Sequence, residues 1–585
     1  MAELDANTAS ARGAAAVDLS ADRWAAGEHD RYMTAQGVDR TTAGAATGRN
    51  GAVTVAYGAY AARAGLEALK QGGNAIDAAM TTALAQVALT AGAPISYFGI
   101  MSLVYYEAAT GKVHTMNAEW NTVRAETDPS SIPGGIAFGS DDALRGKGPP
   151  SGRTALVGGF MKGVEAAHRR FGKLPFAQIF TPAIEIAERG MPVTDLLDWC
   201  FRFREPDLHR LAETRQTFLK PDGSRYGVGE VFRQASLAET LRQVAAHGAD
   251  YMYGGPWGET LIAALSADGG RMTLEDLKGY EVIWDEAIRG DIGGGYSIAT
   301  SPWPNAGGVA LIEAQNLADV SGLSSGPHWT QSAAALKTAL DISLLMNLMF
   351  IPPEGLEAMF PGIDFSPEAR ITRAHAETLW AQIKDGSPLA RWKRTTPMHS
   401  DDVVAIDAEG NMAAITHSIN CVIWGKTAIT VGGIPIGDPA SYQQALLART
   451  PPGSRLPAPT ETGLVFKDGE PVLAFASMGA GLHQRTFQGL LNVTRFGMSV
   501  EEAINTADFY LPSTDMATGE ITVTVPEGRF DPKLLDATGY AWREVSLDEA
   551  RLGGEGKWVA ISRDPRTGVL QAASHNRNNS DAVAF

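Results

Sequence analysis

Two β-prone runs, residues 403–406 and 412–415, flank the turn signal Asp407-Ala408-Glu409-Gly410-Asn411. That pattern commits the stretch to an antiparallel hairpin. With the turn centred on Glu409, opposed residue numbers sum to 818, twice 409. Asp407 then faces Asn411, and Ser400 faces Ser418. Opposed Cβ atoms lie about 4.5–5.5 Å apart, so two hydroxyls meet at the open end of the hairpin. This is a candidate nucleophile beside a polar partner. The competing reading is an ordinary hairpin carrying surface serines.

At 585 residues the chain exceeds the size at which single cores stop growing, so two lobes or one large layered domain are expected. Its 49 basic and 66 acidic residues leave a net charge of −17. A phosphate backbone would be repelled, which argues against nucleic acid as a partner. Only Cys200 and Cys421 are present, far apart. They read as buried thiols, and neither a disulfide framework nor a cysteine metal site is expected. Met1-Ala2-Glu3-Leu4-Asp5 lacks a basic start before an apolar stretch, and the run 342–351 is broken by Asn347 and stopped by Pro352-Pro353. The expectation is therefore a cytoplasmic protein without a membrane span.

Residues 1–48 read as an appended, partly ordered arm, ending at the turn-like Gly48-Arg49-Asn50-Gly51. Residues 61–71 have helical periodicity, closed by Gly72-Gly73, and Asn74 can cap a second helix over 75–89. Another helical block spans 158–189, interrupted at Gly172-Lys173-Leu174-Pro175. Thr273 opens a capping-box helix. Residues 293–308 read as a strand entering a rigid turn, and 367–398 as a long connection. No Walker A pattern, His-Glu-x-x-His or Ser-x-x-Lys occurs. One Gly-x-Ser-x-Gly match, Gly322 to Gly326, follows a helical run rather than a strand, so it reads as a helix-ending loop.

Several blocks together resemble the gamma-glutamyltransferase family. They are Gly72-Gly73-Asn74-Ala75-Ile76-Asp77-Ala78, Phe171-Gly172-Lys173-Leu174-Pro175, Glu188-Arg189-Gly190-Met191-Pro192-Val193, the Asp407-to-Asn420 hairpin, and Ser477-Met478-Gly479-Ala480-Gly481. The resemblance runs from about Gly51 to the end. It implies an α+β fold, a four-layer αββα sandwich of the N-terminal-nucleophile hydrolase type, with additional helices in the large-subunit part. It also implies a precursor that cuts itself. A large-subunit region, 49–399, would precede a small-subunit region, 400–585, and the two fragments would stay associated; a homo-oligomer is compatible with this.

In the family the nucleophile is a threonine seven positions before the turn aspartate, which falls here on Ser400; Thr395-Thr396 lies too far upstream. The resemblance assigns Ser418 as the second hydroxyl, Asn420 as a substrate contact, and Gly479 and Ala480 as the oxyanion-hole pair. No cofactor and no metal are expected. The family's carboxylate-gripping arginine falls on Glu119, its amine-binding aspartate on Ser441, and its serine pair near Ala458-Pro459. Glutamate repels a carboxylate where arginine attracts it, so a gamma-glutamyl donor is disfavoured. Tyr97, Phe98, Trp120 and Trp424 are candidates to line an apolar acyl pocket, with core packing as the alternative. His417 should point away from Ser418, on the opposite face.

Three readings follow. The first is a self-processing amide hydrolase or acyltransferase acting through acyl-Ser400 on a non-gamma-glutamyl amide. The second is a gamma-glutamyl hydrolase or transferase with a rearranged pocket, and the third an unprocessed, non-catalytic binding homologue.

Overall fold

The computed structural model describes residues 17–38, 42–134, 149–384, 400–510, 512–514, 520–546, 549, 555–577 and 579–585. His399, Thr395-Thr396 and the first 16 residues of the arm lie outside the described residues.

Two large antiparallel sheets stack face to face. The first runs Asp581–Ala584, Gly51–Val55, Ser400–Asp407, Met412–Ser418, Ile100–Glu107, Lys112–Ala118, Ile283–Glu286. The second runs Gly44–Gly48, Leu570–Ser574, Gly556–Arg563, Glu470–Gly479, Gly463–Lys467, Tyr296–Thr300, Ile288–Gly293. Side chains alternate across a strand, and the burial follows that rule. Val404, Ile406, Met412 and Ala414 of the first sheet meet Leu464, Ala474, Ala476, Val559 and Ile561 of the second in an apolar seam. Val403, Ala405, Ala413 and Ile415 face the other way, into a core shared with helices Ala59–Lys70, Ala75–Leu89 and Phe160–Phe171. Helices Gly307–Val320, Ala333–Met346 and Leu482–Thr494 cover the outer face of the second sheet. The result is the αββα sandwich.

The local signals explain these elements. Asn74 caps Ala75–Leu89 by accepting from Ile76 N and Asp77 N, and Asp77 returns the bond to Asn74 N. Thr273 and Asp276 make the same reciprocal pair at Leu274–Lys278. Helix Gly307–Val320 does precede Gly322, which turns with φ +82° and excludes a nucleophile elbow there.

Two expectations about segments need correction. Gly44–Gly48, assigned to the arm, is an edge strand paired with Leu570–Ser574, and Trp24 packs on Tyr60 with Arg63 over its ring. The stretch read as a long connection holds helices Pro367–Arg370 and Arg373–Ile383, the second capped by Thr372. A polar exterior hid their short apolar stripes, carried by Ala376, Leu379 and Ile383. Both cysteines are buried and free; burial pushes the Cys200 thiol up to about 12. No described helix is long and apolar enough to cross a membrane.

Candidate active site

The hairpin closes in the register that the turn dictates: Ser400 pairs with Ser418, Asp401 with His417, Asp402 with Thr416, and so on to Ile406 with Met412. Its turn is locked by one carboxylate. Asp407 Oδ1 accepts from Asn411 N at 2.9 Å, and Oδ2 accepts from Asn411 Nδ2 at 2.7 Å and from Ala75 N at 3.0 Å. Gly410 supplies the left-handed residue, φ +87°. The third bond fixes the hairpin to the first turn of helix Ala75–Leu89, so the far end of each strand has a defined height in the sandwich.

By parity with Val404 and Ile406, Ser400 and Asp402 face the seam between the sheets, as do Thr416 and Ser418. Ser400 and Ser418 are each 3% exposed. Ser418 Oγ accepts from Asn420 N at 3.0 Å, and Asn420 sits at φ +47°, where the chain leaves the sheet. Thr416 Oγ1 donates to Asp402 Oδ1 at 3.1 Å. Burial raises the Asp402 carboxyl well above the usual range, and the neighbouring Asp401 and Glu461 charges raise it further. A carboxyl with a raised pKa, two residues from Ser400 and on the same face, is therefore part of the site. Its signal was already in the sequence, since position 402 has the parity of 400.

The oxyanion candidates lie at the end of the facing strand. Gly479 adopts φ +91° and is paired with Gly556. A Cβ there would meet Glu555 O at 2.6 Å, so glycine is required. Ala480 follows, and Gly481 N donates to Glu555 O at 3.2 Å as helix Leu482–Thr494 begins. Beneath this turn Ser477 Oγ donates to Glu461 Oε1 at 3.0 Å, Thr486 Oγ1 to Ser477 Oγ at 2.7 Å, and His483 Nδ1 lies 2.6 Å from Glu461 Oε2. Glu461 and His483 escaped the sequence reading, because a loop acid and a helix histidine 22 positions apart form no recognisable motif.

Glu119 follows strand Lys112–Ala118, in the same sheet as Ser400, and is fully buried. Its Oε1 accepts from Thr460 Oγ1 at 3.2 Å, while Oε2 has no hydrogen-bond partner among the described residues. Burial pushes its carboxyl up to about 7, against the opposing pull of the Arg455 charge and the Thr460 bond. Arg455 itself is committed. Nε donates to Asn121 Oδ1, Nη1 to Asn117 O and Oδ1, and Nη2 to Glu281 O. Asn117 Nδ2 donates to Asn305 Oδ1 at 2.7 Å, and Asn305 Nδ2 to Ser102 Oγ at 2.8 Å. Ser102 is the strand partner of Thr416, so this polar chain ties the Glu119 wall to the hairpin.

The remaining candidates are placed differently. Ser441 Oγ donates to Pro133 O at 3.0 Å, a structural bond. Tyr97 packs edge-on against Phe160 and gives its hydroxyl proton to Leu84 O at 2.7 Å. Trp424 packs between Phe201 and Phe218 and donates to Ala91 O at 2.8 Å. Both rings lie in the helical-layer core, with their polar tips satisfied. That is the packing alternative. His417 points to the helical side, with Nε2 donating to Gln86 Oε1 at 2.9 Å; burial drives its pKa down to about 3 and keeps it neutral.

A family model described as gamma-glutamyltranspeptidase matches residues 61–585. The glutathione hydrolase proenzyme of Pseudomonas aeruginosa is 27% identical, over 90% of this chain and 95% of its own length. The acylase ACY 1 proenzyme of Pseudomonas sp. strain V22 is 28% identical, over 82% of this chain and 86% of its own. Among solved structures, cephalosporin acylase from Bacillus halodurans aligns with a TM-score of 0.75, covering 92% of this chain and 97% of that one at 24% identity, a likeness of fold.

Proposed function

The chain belongs to the gamma-glutamyltranspeptidase family and is an amidohydrolase or acyltransferase of the N-terminal-nucleophile type; we propose that it cuts itself before Ser400 and then acts on a non-gamma-glutamyl amide through acyl-Ser400. The observation that carries this is the buried Ser400–Ser418 pair on the seam face of one sheet, with the left-handed Gly479 ending a strand of the other.

In the precursor, Ser400 Oγ attacks the carbonyl carbon of His399. The C–N bond breaks as the C–O bond forms, the nitrogen takes the hydroxyl proton, and water then hydrolyses the ester. The products are a His399 carboxylate and a free Ser400 α-amine. That amine, with an ordinary pKa of roughly 7.7–8.0, is the general base for the second reaction. It takes the Oγ proton as Oγ attacks the substrate carbonyl, and passes it to the leaving amine. N–H groups of Gly479 and Ala480 hold the developing oxyanion, and water or an acceptor amine releases the acyl group. Burial raises the pKa of Asp402, which accepts from Thr416, and so favours its uncharged form on the face that carries Ser400. The fragments stay together in this reading because Ser400–Asp407 lies between Gly51–Val55 and Met412–Ser418, within one sheet. Relatives carrying the word proenzyme in their names fit it too.

The substrate reading rests on Glu119. A carboxyl with one bare oxygen stands at the position onto which the family's carboxylate-gripping arginine falls, and the one arginine acting on it, Arg455, has each of its nitrogens engaged, on Asn117, Asn121 and Glu281. Such a wall suits an acyl group bearing a cation or a hydroxyl; among the described residues it offers a gamma-glutamyl α-carboxylate no free cation, and repels it once Glu119 ionises near pH 7.

Intact mass tests the first claim: two fragments divided before Ser400 are expected, and a single 62.0 kDa species under all conditions would refute it. Turnover of a gamma-glutamyl anilide as fast as the best uncharged or cationic acyl anilide would overturn the second.

A further inference from the structure

Behind the Gly479–Gly481 turn, on the helical side of the second sheet, lies a separate cavity of about 370 Å³. Helix Leu482–Thr494, strands Ile521–Pro526 and Ala541–Val545, and residues 575–577 enclose it, and Arg485, Asp508, Tyr510, Arg529, His575 and Arg577 line it. Two of these are guanidiniums held almost out of solvent: Arg485 is 2% and Arg577 is 7% exposed.

Neither is saturated. Arg485 Nη2 donates to Ile504 O at 2.7 Å, and Nη1 stands 3.7 Å from Asp508 Oδ2. Arg577 Nη2 meets Glu555 Oε1 at 2.5 Å. Nε and Nη1 of both arginines have no hydrogen-bond acceptor among the described residues. Buried N–H donors on a fixed positive charge are costly unless paired, and two such groups lining one cavity share that cost at one place. The charges around them balance in number, three carboxylates to three guanidiniums, but leave those N–H groups without acceptors among the described residues. Asp508 and Glu555 each engage one edge, Glu527 also lines the cavity, and Arg529 adds a third cation whose Nη2 is bound to Asn505 O. His575 accepts from Trp558 N at 2.7 Å and stays neutral through burial and the two arginine charges.

We propose that this cavity binds a small oxyanion, of the carboxylate or the phosphate and sulfate class, through Arg485 and Arg577. Anion oxygens satisfy several guanidinium N–H groups at once, in the strong charge-assisted geometry that arginine favours. The site is joined to the catalytic end by short bonds: Arg485 N donates to Gly481 O at 3.0 Å, and the backbone of Glu555, whose carboxylate holds Arg577, accepts from Gly481 N. It does not involve Ser400, so the proposal stands or falls apart from the catalytic reading.

Isothermal titration of the full protein in chloride buffer at fixed ionic strength tests it, with sulfate, phosphate and acetate as separate probes. The expected result is saturable binding, one anion per chain, for at least one probe. Sulfate and phosphate without acetate identify a dianion site; acetate alone identifies a carboxylate site. Arg485→Gln should weaken the affinity about tenfold or more, while Ser400→Ala should leave it unchanged. Arg485→Lys keeps the charge and loses the planar fork, so a well-folded protein with weakened binding is expected there too. No saturable heat with any probe on folded wild type, or equal affinities for wild type and both Arg485 variants, overturns the proposal.

Discussion

The Ser400-to-Ser418 hairpin and the Glu119 wall are joined by one polar chain, yet the turn of the hairpin and the wall are built on opposite terms. In the hairpin turn the Asp407 carboxylate accepts from three N–H groups, and Asn411 Oδ1 accepts from Ala108 N; only towards the open end do Asp401 Oδ2, Asp402 Oδ2 and His417 Nδ1 lack a partner among the described residues. In the wall, Glu119 is equally buried but keeps an oxygen with no partner among the described residues. A satisfied buried network holds geometry, whereas an unsatisfied one awaits a ligand. In the proposed reading the hairpin carries the chemistry, which needs reacting atoms held to a fraction of an ångström, and the Glu119 wall carries the choice of substrate.

The comparison is broken most directly at Ser400. Ser400→Ala should abolish self-cleavage and lower turnover by roughly 10⁴-fold or more, read by intact mass and an amide assay; Ser400→Thr keeps a hydroxyl and should still split. Next comes Gly479→Ala, which forces a Cβ against Glu555 O from a left-handed φ. It should cost about 10²–10³-fold in kcat with little change in KM. A kcat within a few-fold of wild type would remove this turn from the oxyanion hole.

The two regions also differ in how far the sequence reveals them. The Ser400–Ser418 register follows from turn chemistry and period-2 alternation alone, because a two-stranded antiparallel ladder has one free parameter and the Asp407-to-Asn411 turn sets it. The helices capped by Asn74 and Thr273 are legible for the same reason: their signals are local. The wall is not. Thr460 meets Glu119, and Arg455 meets Asn117, across more than 300 residues of chain, and pairing at that separation leaves no periodic trace. The aromatic rings show the converse error. Tyr97 and Trp424 look like pocket residues by composition, yet Leu84 O and Ala91 O satisfy them in the core.

Glu119 gives the wall a pH signature that the hairpin turn lacks. Its carboxyl holds a proton to about 7 in the folded state, against an ordinary 4.5. The folded protein therefore binds the extra proton between these values, so the stabilising contribution is fully present below pH 4.5 and is lost as pH rises through 7. At about 1.4 kcal/mol per pH unit, that is on the order of 3 kcal/mol. Glu119→Gln should match wild type at pH 4.5 and exceed its thermal midpoint at about pH 8, beyond the folded-state value. Parallel profiles for the two proteins would mean that the carboxyl titrates normally.

The smallest effect probes the closed turn itself. Asp407→Asn places an amide NH₂ against Asn411 Nδ2, setting donor against donor, and leaves one carbonyl oxygen for N–H groups that two oxygens now share. The expected cost is about 1–3 kcal/mol, seen as a lower thermal midpoint with kcat reduced less than by Gly479→Ala. Exchanging the pair, Asp407→Asn with Asn411→Asp, restores an amide facing a carboxylate across the same turn, and the carboxylate now at position 411 keeps an oxygen for Ala108 N. The double variant should recover part of the loss, which is a positive coupling that independent sites do not give. Additive losses would mean that the Asp407–Asn411 bond is incidental, and that the turn is held by Ala75 N and Gly410 alone.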